Sequence, residues 1–306
     1  MISVENLTKK FGATTAVEGL TFEIKEGEVF GFLGPNGAGK TTTVRMLCCL
    51  ISKTSGKANI AGYDTGNVVD SLQIRKMIGL VPDNVGLYND LTAFENLDFY
   101  GKLYEFPEGR RRENIEHFLK MLGLWERKDA RANSFSKGML QKLALARALI
   151  HEPKILFMDE PTANLDPEAA KTVRDFILEL KKQGRTIFLN THNLDEAQRV
   201  CDRIGIIKTK LLKIGSPGQL RESLTGPKTE IRLGQISEAM VSALKKLIPN
   251  KIEVSGNKLI IDVTDPDKEN PAIIAAIASA GGQVQEVTQL VASLEDVYLQ
   301  IVRENK

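Results

Sequence analysis

Cysteine is scarce in this 306-residue chain: Cys48, Cys49 and Cys201 are all there is. Cys48 and Cys49 are adjacent and would not form an ordinary bridge, and no pair has metal-ligand spacing. A disulfide frame and a thiolate metal site are therefore both excluded. All three read as buried thiols of a reducing compartment. Long apolar runs are missing too. Nowhere do about 18 apolar residues follow one another, so no segment reads as a membrane-spanning helix. Met1-Ile2-Ser3-Val4-Glu5-Asn6 has no apolar signal core. Nor is there an excess of either charge. The 41 basic and 39 acidic residues leave a formal net charge of +2, which gives no electrostatic case for a nucleic-acid partner. The short run Arg110-Arg111-Arg112 is followed by Glu113 and Glu116 and reads as a solvated helix face. No internal repeat is present.

What the chain does have is alternation. Ile2, Val4 and Leu7, then Thr21-Phe22-Glu23-Ile24, read as strands at a sheet edge. Glu28-Val29-Phe30-Gly31-Phe32-Leu33 is a short apolar strand that runs into a glycine-rich loop and a helix over residues 40–50. Residues 83–150 read as mostly helical, with a capping box at Thr92-Ala93-Phe94-Glu95 and a helix over 110–122. Lys154-Ile155-Leu156-Phe157-Met158 has the continuous apolarity of a central buried strand. Asp166-Pro167 opens a helix, Thr186-Ile187-Phe188-Leu189-Asn190 is the next strand, and Asn193-Leu194-Asp195-Glu196 starts another helix. Strands alternating with helices predict an α/β fold with a mostly parallel sheet covered on both faces. A helix beginning at Ser216-Pro217 closes this first domain, residues 1–222. Over residues 228–306 the order becomes strand 230–233, helix 237–247, strands 251–254 and 258–263 around Gly256-Asn257, helix 271–280, strand 283–288 and helix 293–302. That order resembles a small split βαβ, ferredoxin-like α+β fold.

Two constellations carry chemistry. Gly34-Pro35-Asn36-Gly37-Ala38-Gly39-Lys40-Thr41, with Thr42 next, matches G-x-x-x-x-G-K-[ST] at every fixed position. Its glycines let backbone N–H groups turn inward around phosphates, and the following helix presents its positive end to them. Lys40 is expected to reach the β- and γ-phosphates and Thr41 to offer a hydroxyl to Mg²⁺. The strand before and the helix after argue against a chance glycine-rich turn. In Ile155-Leu156-Phe157-Met158-Asp159-Glu160, two acids emerge at the carboxyl end of a buried strand, where ligands bind in such sheets. Asp159 is expected to hold Mg²⁺ through water, and Glu160 to polarise an attacking water as general base. Alone, the two acids could equally cap a strand; the phosphate loop upstream decides for chemistry.

Between these motifs, Phe135-Ser136-Lys137-Gly138-Met139-Leu140-Gln141 resembles the Leu-Ser-Gly-Gly-Gln signature of ATP-binding cassette proteins, with Ser136 and Gly138 on the serine and second glycine. Phe135, Lys137 and Met139 depart from the usual residues. Ser136 would still cap a long helix and leave an anion site there. Further marks follow in family order. Pro161-Thr162-Ala163-Asn164-Leu165-Asp166 resembles the loop that crosses the dimer interface, and Asp166 also suits a helix N-cap. His192 resembles the switch histidine, which contacts the γ-phosphate and the bound water. Phe11 stands at the place of the aromatic that stacks on adenine, although a core residue at a strand end would look the same. One departure is notable: Gly79-Leu80-Val81-Pro82-Asp83 carries Asp83 where the family has glutamine touching Mg²⁺ and the water. A carboxylate there adds negative charge beside Asp159, Glu160 and the triphosphate.

The resemblance covers about residues 1–220. It implies a P-loop NTPase cassette with a mostly parallel sheet, an antiparallel β subdomain and a helical subdomain at about 84–150. It implies an ATPase that uses ATP and Mg²⁺ and works as a head-to-tail homodimer, each ATP shared between residues 34–41 of one chain and 136–138 of the other. A transmembrane permease subunit would hold it at the cytoplasmic face of the membrane. The tail resembles, more weakly, the C-terminal extension on ATPases of drug, antibiotic and polysaccharide exporters, which favours export. A soluble regulatory or ribosome-associated ATPase of the same superfamily is the alternative. Such forms usually carry two cassettes, whereas this chain has one phosphate loop. A phosphate-loop kinase gives no reason for the signature-like stretch.

Overall fold

The computed structural model describes residues 1–222, 228–248, 252–290 and 293–304. They form two compact units, Met1–Ser216 and Pro217–Lys306. The first unit is built on a six-stranded sheet in the order Lys210–Gly215, Arg203–Lys208, Val29–Leu33, Thr186–Thr191, Ile155–Asp159, Ile78–Val81. All neighbours pair in parallel except the first two, which form an antiparallel hairpin. The three central strands are buried along their whole length. Their near-continuous apolarity is what a parallel sheet covered on both faces demands. Phe30, Phe32, Phe157 and Phe188 project from these strands into one aromatic cluster, with Phe32 and Phe188 edge to face at 5.3 Å.

Ile2–Phe11 and Thr14–Ile24 are not an edge of that sheet. They belong to a separate antiparallel sheet, ordered Thr14–Ile24, Ile2–Phe11, Ser55–Ile60, Tyr63–Asp64, in which Ile2–Phe11 is internal. Their alternation puts Ile2, Val4, Leu7, Val17, Leu20, Phe22 and Ile24 on one buried face, where Phe22 stacks on Phe30 at 5.5 Å. Ser55–Ile60 and the hairpin Arg203–Gly215 are strands that sequence reading passed over. The phosphate-loop helix is shorter than expected, Lys40–Leu47, because Cys49 turns into the left-handed region at φ 56°. That turn also leaves Cys49 only partly buried, unlike Cys48 and Cys201.

The helical region comprises Ala93–Leu103, Glu108–Met121 and Lys137–Leu149, the first opened by the capping box of Thr92 and Glu95. In the second unit, four antiparallel strands are ordered Ile252–Ser255, Lys258–Asp262, Lys228–Leu233, Val284–Leu290, the ferredoxin-like order. Glu238–Leu247 and Pro266–Ser279 pack on one face, burying Ile231, Leu233, Leu244, Leu259, Ile261, Ile273 and Ile277. The second of these helices starts five residues before Pro271. Asp265 caps it, Pro266 occupies the first turn, and Pro271 is tolerated inside it near the start. The helix Pro217–Glu222 falls in this unit, against Leu294–Glu304, although its sequence position suggested a close to the first domain. Lys251, which the sequence places in a strand, lies outside the described residues. Among the described residues no helix is long and apolar enough to cross a membrane.

Candidate active site

Val29–Leu33 ends in the glycine-rich loop, and the loop ends in the helix Lys40–Leu47. Gly39 is the residue before this helix and sits at φ 96°, with the carbonyl of Ala16 only 2.4 Å from where a Cβ would be. Only glycine fits there. No side chain caps this helix, so its first N–H groups stay available to an anion. The Lys40 ammonium curls back over the loop and donates to the carbonyls of Gly34 at 2.6 Å and Pro35 at 3.3 Å.

The carboxyl ends of the neighbouring strands bring acids to the same place. A cavity of about 410 Å³ is lined by Phe11, Ala16, Pro35, Asn36, Gly37, Ala38, Gly39, Lys40, Thr41, Thr42, Asp83, Asp159 and Glu160. Residues from five sequence regions thus converge. Asp159 is buried, and the amide of Asn190, from the adjacent strand, donates to its Oδ1 at 3.1 Å. At Glu160 the backbone leaves the strand abruptly, at φ 51°, while its N–H remains on the carbonyl of Asn190. Its Oε1 lies 2.8 Å from His192 Nδ1 and 3.6 Å from Lys40 Nζ. The His192 main-chain N–H points at the other oxygen, at 3.4 Å. A carboxylate so placed can take a proton from a water in the cavity, with a histidine beside it to orient the pair. Phe11 is half exposed at the cavity wall, with the Lys9 ammonium 4.8 Å from its ring centre. That is an accessible aromatic face, not a core residue.

Ser136, Lys137, Gly138 and Asp166 do not line this cavity. They meet each other elsewhere. Ser136 caps the helix Lys137–Leu149, accepting from Met139 N–H at 3.3 Å, and Asp166 caps Pro167–Lys182, accepting from Ala169 N–H at 2.8 Å. A Cβ on Gly138 would come within 2.9 Å of Ala169 and 3.9 Å of Asp166. The serine-headed helix end and the Asp166 loop are therefore neighbours, apart from the phosphate loop of their own chain.

Residues 17–163 match the model of the family described as ABC transporter, and residues 215–302 match the ATP-binding protein DrrA1-3-like, C-terminal domain. The linearmycin resistance ATP-binding protein LnrL of Bacillus subtilis (strain 168) is 36% identical over 86% of this chain and 85% of its own. The Nod factor export ATP-binding protein I of Rhizobium sp. (strain N33) is 35% identical over 98% and 96%. The chain belongs to the ABC transporter ATP-binding proteins. The daunorubicin resistance ATP-binding protein DrrA3 of Streptomyces coeruleorubidus is 31% identical over 100% and 96%. Among solved structures, the post-hydrolysis dimer of the ATP-binding cassette MJ0796 bound to ADP and Pi matches 71% of this chain and 98% of its own, at a TM-score of 0.65 and 29% identity. The protein is thus an ATP-binding, ATP-hydrolysing subunit of an ABC system, folded as the cassette resemblance implied.

This ABC ATPase also holds its site with residues that motif reading did not single out. Arg147 is buried, yet its guanidinium donates to the carbonyls of Val85, Gly86 (2.9 Å) and Leu80 (3.3 Å) and stacks over Tyr100. It therefore ties the Ser136-headed helix to the loop that carries Asp83. Glu196 is buried as well. It accepts from Thr162 Oγ1 at 2.8 Å and so links the loop after Glu160 to the helix after His192. Burial, with Glu160 nearby, raises the pKa of Glu196 against the help of hydroxyl donors on Thr191 and Thr162.

Proposed function

We propose that two copies of this chain close head to tail over two ATP molecules and that this cycle powers a membrane exporter. The observation that carries the reading is the division of the site. Lys40, Asp159 and Glu160 line the phosphate-loop cavity, with His192 against Glu160 just behind it, while Ser136 and Gly138 sit at a separate helix end of the same chain. A second copy would supply that end to complete the anion cradle. In that arrangement Phe11 stacks on adenine and residues 34–42 wrap the phosphates. Lys40 exchanges its carbonyl partners for phosphate oxygens. Glu160 takes the proton of the attacking water, and His192 holds Glu160 in place. Asp166 and the loop leading to it would lie along the seam.

Mg²⁺ fits the donors present. Thr41, Asp83 and Asp159 line the cavity with the hard oxygen atoms this ion prefers, and Asn190 fixes one Asp159 oxygen. Among the described residues no three His, Cys, Asp or Glu side chains form a cage. That suits an ion held by one or two carboxylates and by phosphates. When bound, Mg²⁺ would neutralise triphosphate charge.

The export direction and the membrane partner rest on the relatives: LnrL and DrrA3 are resistance proteins by name, and the Nod factor proteins are export proteins. A transmembrane permease would dock on the helical region. Val85, Leu87, Tyr88, Leu91 and Phe94 are none of them fully buried, and Tyr88 packs edge to face on exposed Phe99 at 5.1 Å. The test is Glu160→Gln. It should bind ATP, hydrolyse it at least about 100-fold more slowly and accumulate as a dimer by gel filtration. Turnover at the wild-type rate, or a strictly monomeric ATP complex, would end the reading.

A further inference from the structure

One sheet edge in the second unit differs from every other strand edge among the described residues. The six-stranded sheet ends in Ile78–Val81, which is short, and in Lys210–Gly215, which carries Lys210 and Lys213. The N-terminal sheet ends in the two-residue Tyr63–Asp64 and in Thr14–Ile24, whose Glu18 N–H already donates to Thr209. The other edge of the second unit's own sheet is Ile252–Ser255, short and bearing Glu253. Brevity and charge are the ordinary devices that keep edges from pairing with another chain. Val284–Leu290 is not short, and its single charge is paired. It is seven residues long and contains no Lys, Arg or Pro, and Gln285 through Gln289 are all exposed. Its one charge, Glu286, is neutralised within the sheet by Arg232 at 2.8 Å. Val287 is 37% exposed, although its register partner Ile231 is fully buried. The apolar face therefore runs out past the end of the sheet.

The sequence of this strand says what could pair with it. It reads Val-Gln-Glu-Val-Thr-Gln-Leu, nearly the same in both directions about Val287. A two-fold axis normal to the sheet keeps the helices of both copies on one side. Opposed residues in antiparallel strands point to the same face, so such an axis must pass beside a residue. Centred on Val287, it opposes Val287 to Val287, Glu286 to Thr288, Gln285 to Gln289 and Val284 to Leu290. All seven residues pair, and no like charges meet. Centred one residue earlier, it would set Glu286 against Glu286, which is unfavourable.

We propose that Val284–Leu290 is a homotypic docking edge, where the C-terminal units of two copies join their sheets antiparallel about Val287. A strand pair this short would be weak alone. It gains from the high effective concentration that a dimer closed over ATP imposes on its tails. The proposal thus rests on the homodimer reading and adds to it a second contact, one that no nucleotide bridges.

The test is site-directed cross-linking in the full chain, using the Glu160→Gln background with ATP. Opposed Cα atoms in antiparallel strands lie about 4.5–5.5 Å apart, within disulfide range. Val287→Cys should therefore link to itself under mild oxidation. Thr288→Cys should not, because two-residue offsets place its copies roughly 8 Å apart. A mixture of Glu286→Cys and Thr288→Cys chains should link again, as a heterodimer. Every chain in the test also carries Cys49→Ser, because Cys49 is only partly buried; with Cys48 and Cys201 buried, that parent should give no linked band. A dimer by gel filtration without Val287→Cys linkage overturns the docking edge and leaves the ATP dimer standing. Failure of Glu160→Gln to dimerise at all is the separate failure of the function proposed above. Equal linkage at 287 and 288, or linkage only to a different polypeptide in membranes, also overturns it. Val287→Pro, which blocks strand pairing on an exposed edge, gives the complementary readout: amide exchange over 284–290 should lose its concentration-dependent protection.

Discussion

The two units place their polar groups in opposite ways. In the first, Lys40, Asp159, Asn190, Arg147 and Glu196 are all buried, near the carboxyl ends of apolar strands or in the helices and loops packed there. In the second, the ion pairs Lys228–Asp262 (3.2 Å), Lys258–Glu230 (2.7 Å) and Arg232–Glu286 (2.8 Å) form a ladder on the sheet face away from the helices. A buried polar group is costly unless every partner is in place, whereas an exposed pair is worth little. Chemistry in this molecule is therefore confined to the region where single polar side chains matter most, and the second unit keeps a surface suited to contact.

The sharpest test of that contrast is Lys40→Ala. It removes the ammonium beside Glu160 and the phosphate-loop carbonyls. ATP hydrolysis should fall by about 10²–10³-fold, as for other losses of transition-state charge stabilisation. A steady-state phosphate-release assay checks it, and a fall of less than about fivefold would move the reacting centre elsewhere. Next comes Arg147→Ala. It strips donors from the carbonyls of Leu80, Val85 and Gly86 at once, so stability should drop by about 2–4 kcal/mol in urea denaturation. Arg147→Lys should recover only part of this, because a point charge cannot reproduce a planar fork.

His151 extends the contrast to pH. It is largely buried, stacks on Tyr104 at 3.7 Å and contacts the carbonyl of Ile78 at 3.0 Å. Burial pushes its pKa down to about 4 from the ordinary 6.5. The unfolded chain binds this proton more readily, so the neutral ring's contribution is complete above pH about 6.5 and is lost as the pH falls toward 4. At pH 5 the cost is about 2 kcal/mol. Comparing urea midpoints at pH 7.5 and 5 should show the drop in the parent and a shallower one in His151→Phe.

The cassette was legible because its motifs state both chemistry and place. The phosphate loop must follow a strand and open a helix, and Asp159-Glu160 must end one. Strands with continuous apolar runs were visible for the same reason. The hairpin Arg203–Gly215 was not, because Lys208-Thr209-Lys210 carries no glycine or proline to mark its turn. The end of the phosphate-loop helix was missed because Cys49 adopts a left-handed turn without glycine. Arg147 and Glu196 were invisible as site residues for a different reason. Their importance lies in which carbonyls and hydroxyls they meet across more than thirty residues of sequence separation, and pattern does not report that. Asp83 was seen, and unlike buried Asp159 it is exposed on the cavity wall. Asp83→Gln should keep ATPase activity within about threefold, a difference small enough to mean that no bond to the reacting atoms is lost.

The smallest effect belongs to the ladder. Arg232 and Glu286 are each about half exposed, so water screens the pair on both sides. Arg232→Ala should lower stability by about 0.2–1 kcal/mol, and by less in high salt, because the cross-strand attraction is weak and screened. Its ATPase rate should not change. It should, however, leave Glu286 without its cross-strand partner on the free edge, and an uncompensated charge there is one of the devices by which sheet edges resist pairing. The same substitution that barely touches folding should therefore weaken Val287→Cys self-linkage. If stability fell as steeply for Arg232→Ala as for Arg147→Ala, the distinction drawn between buried and exposed polar groups would not hold for this molecule.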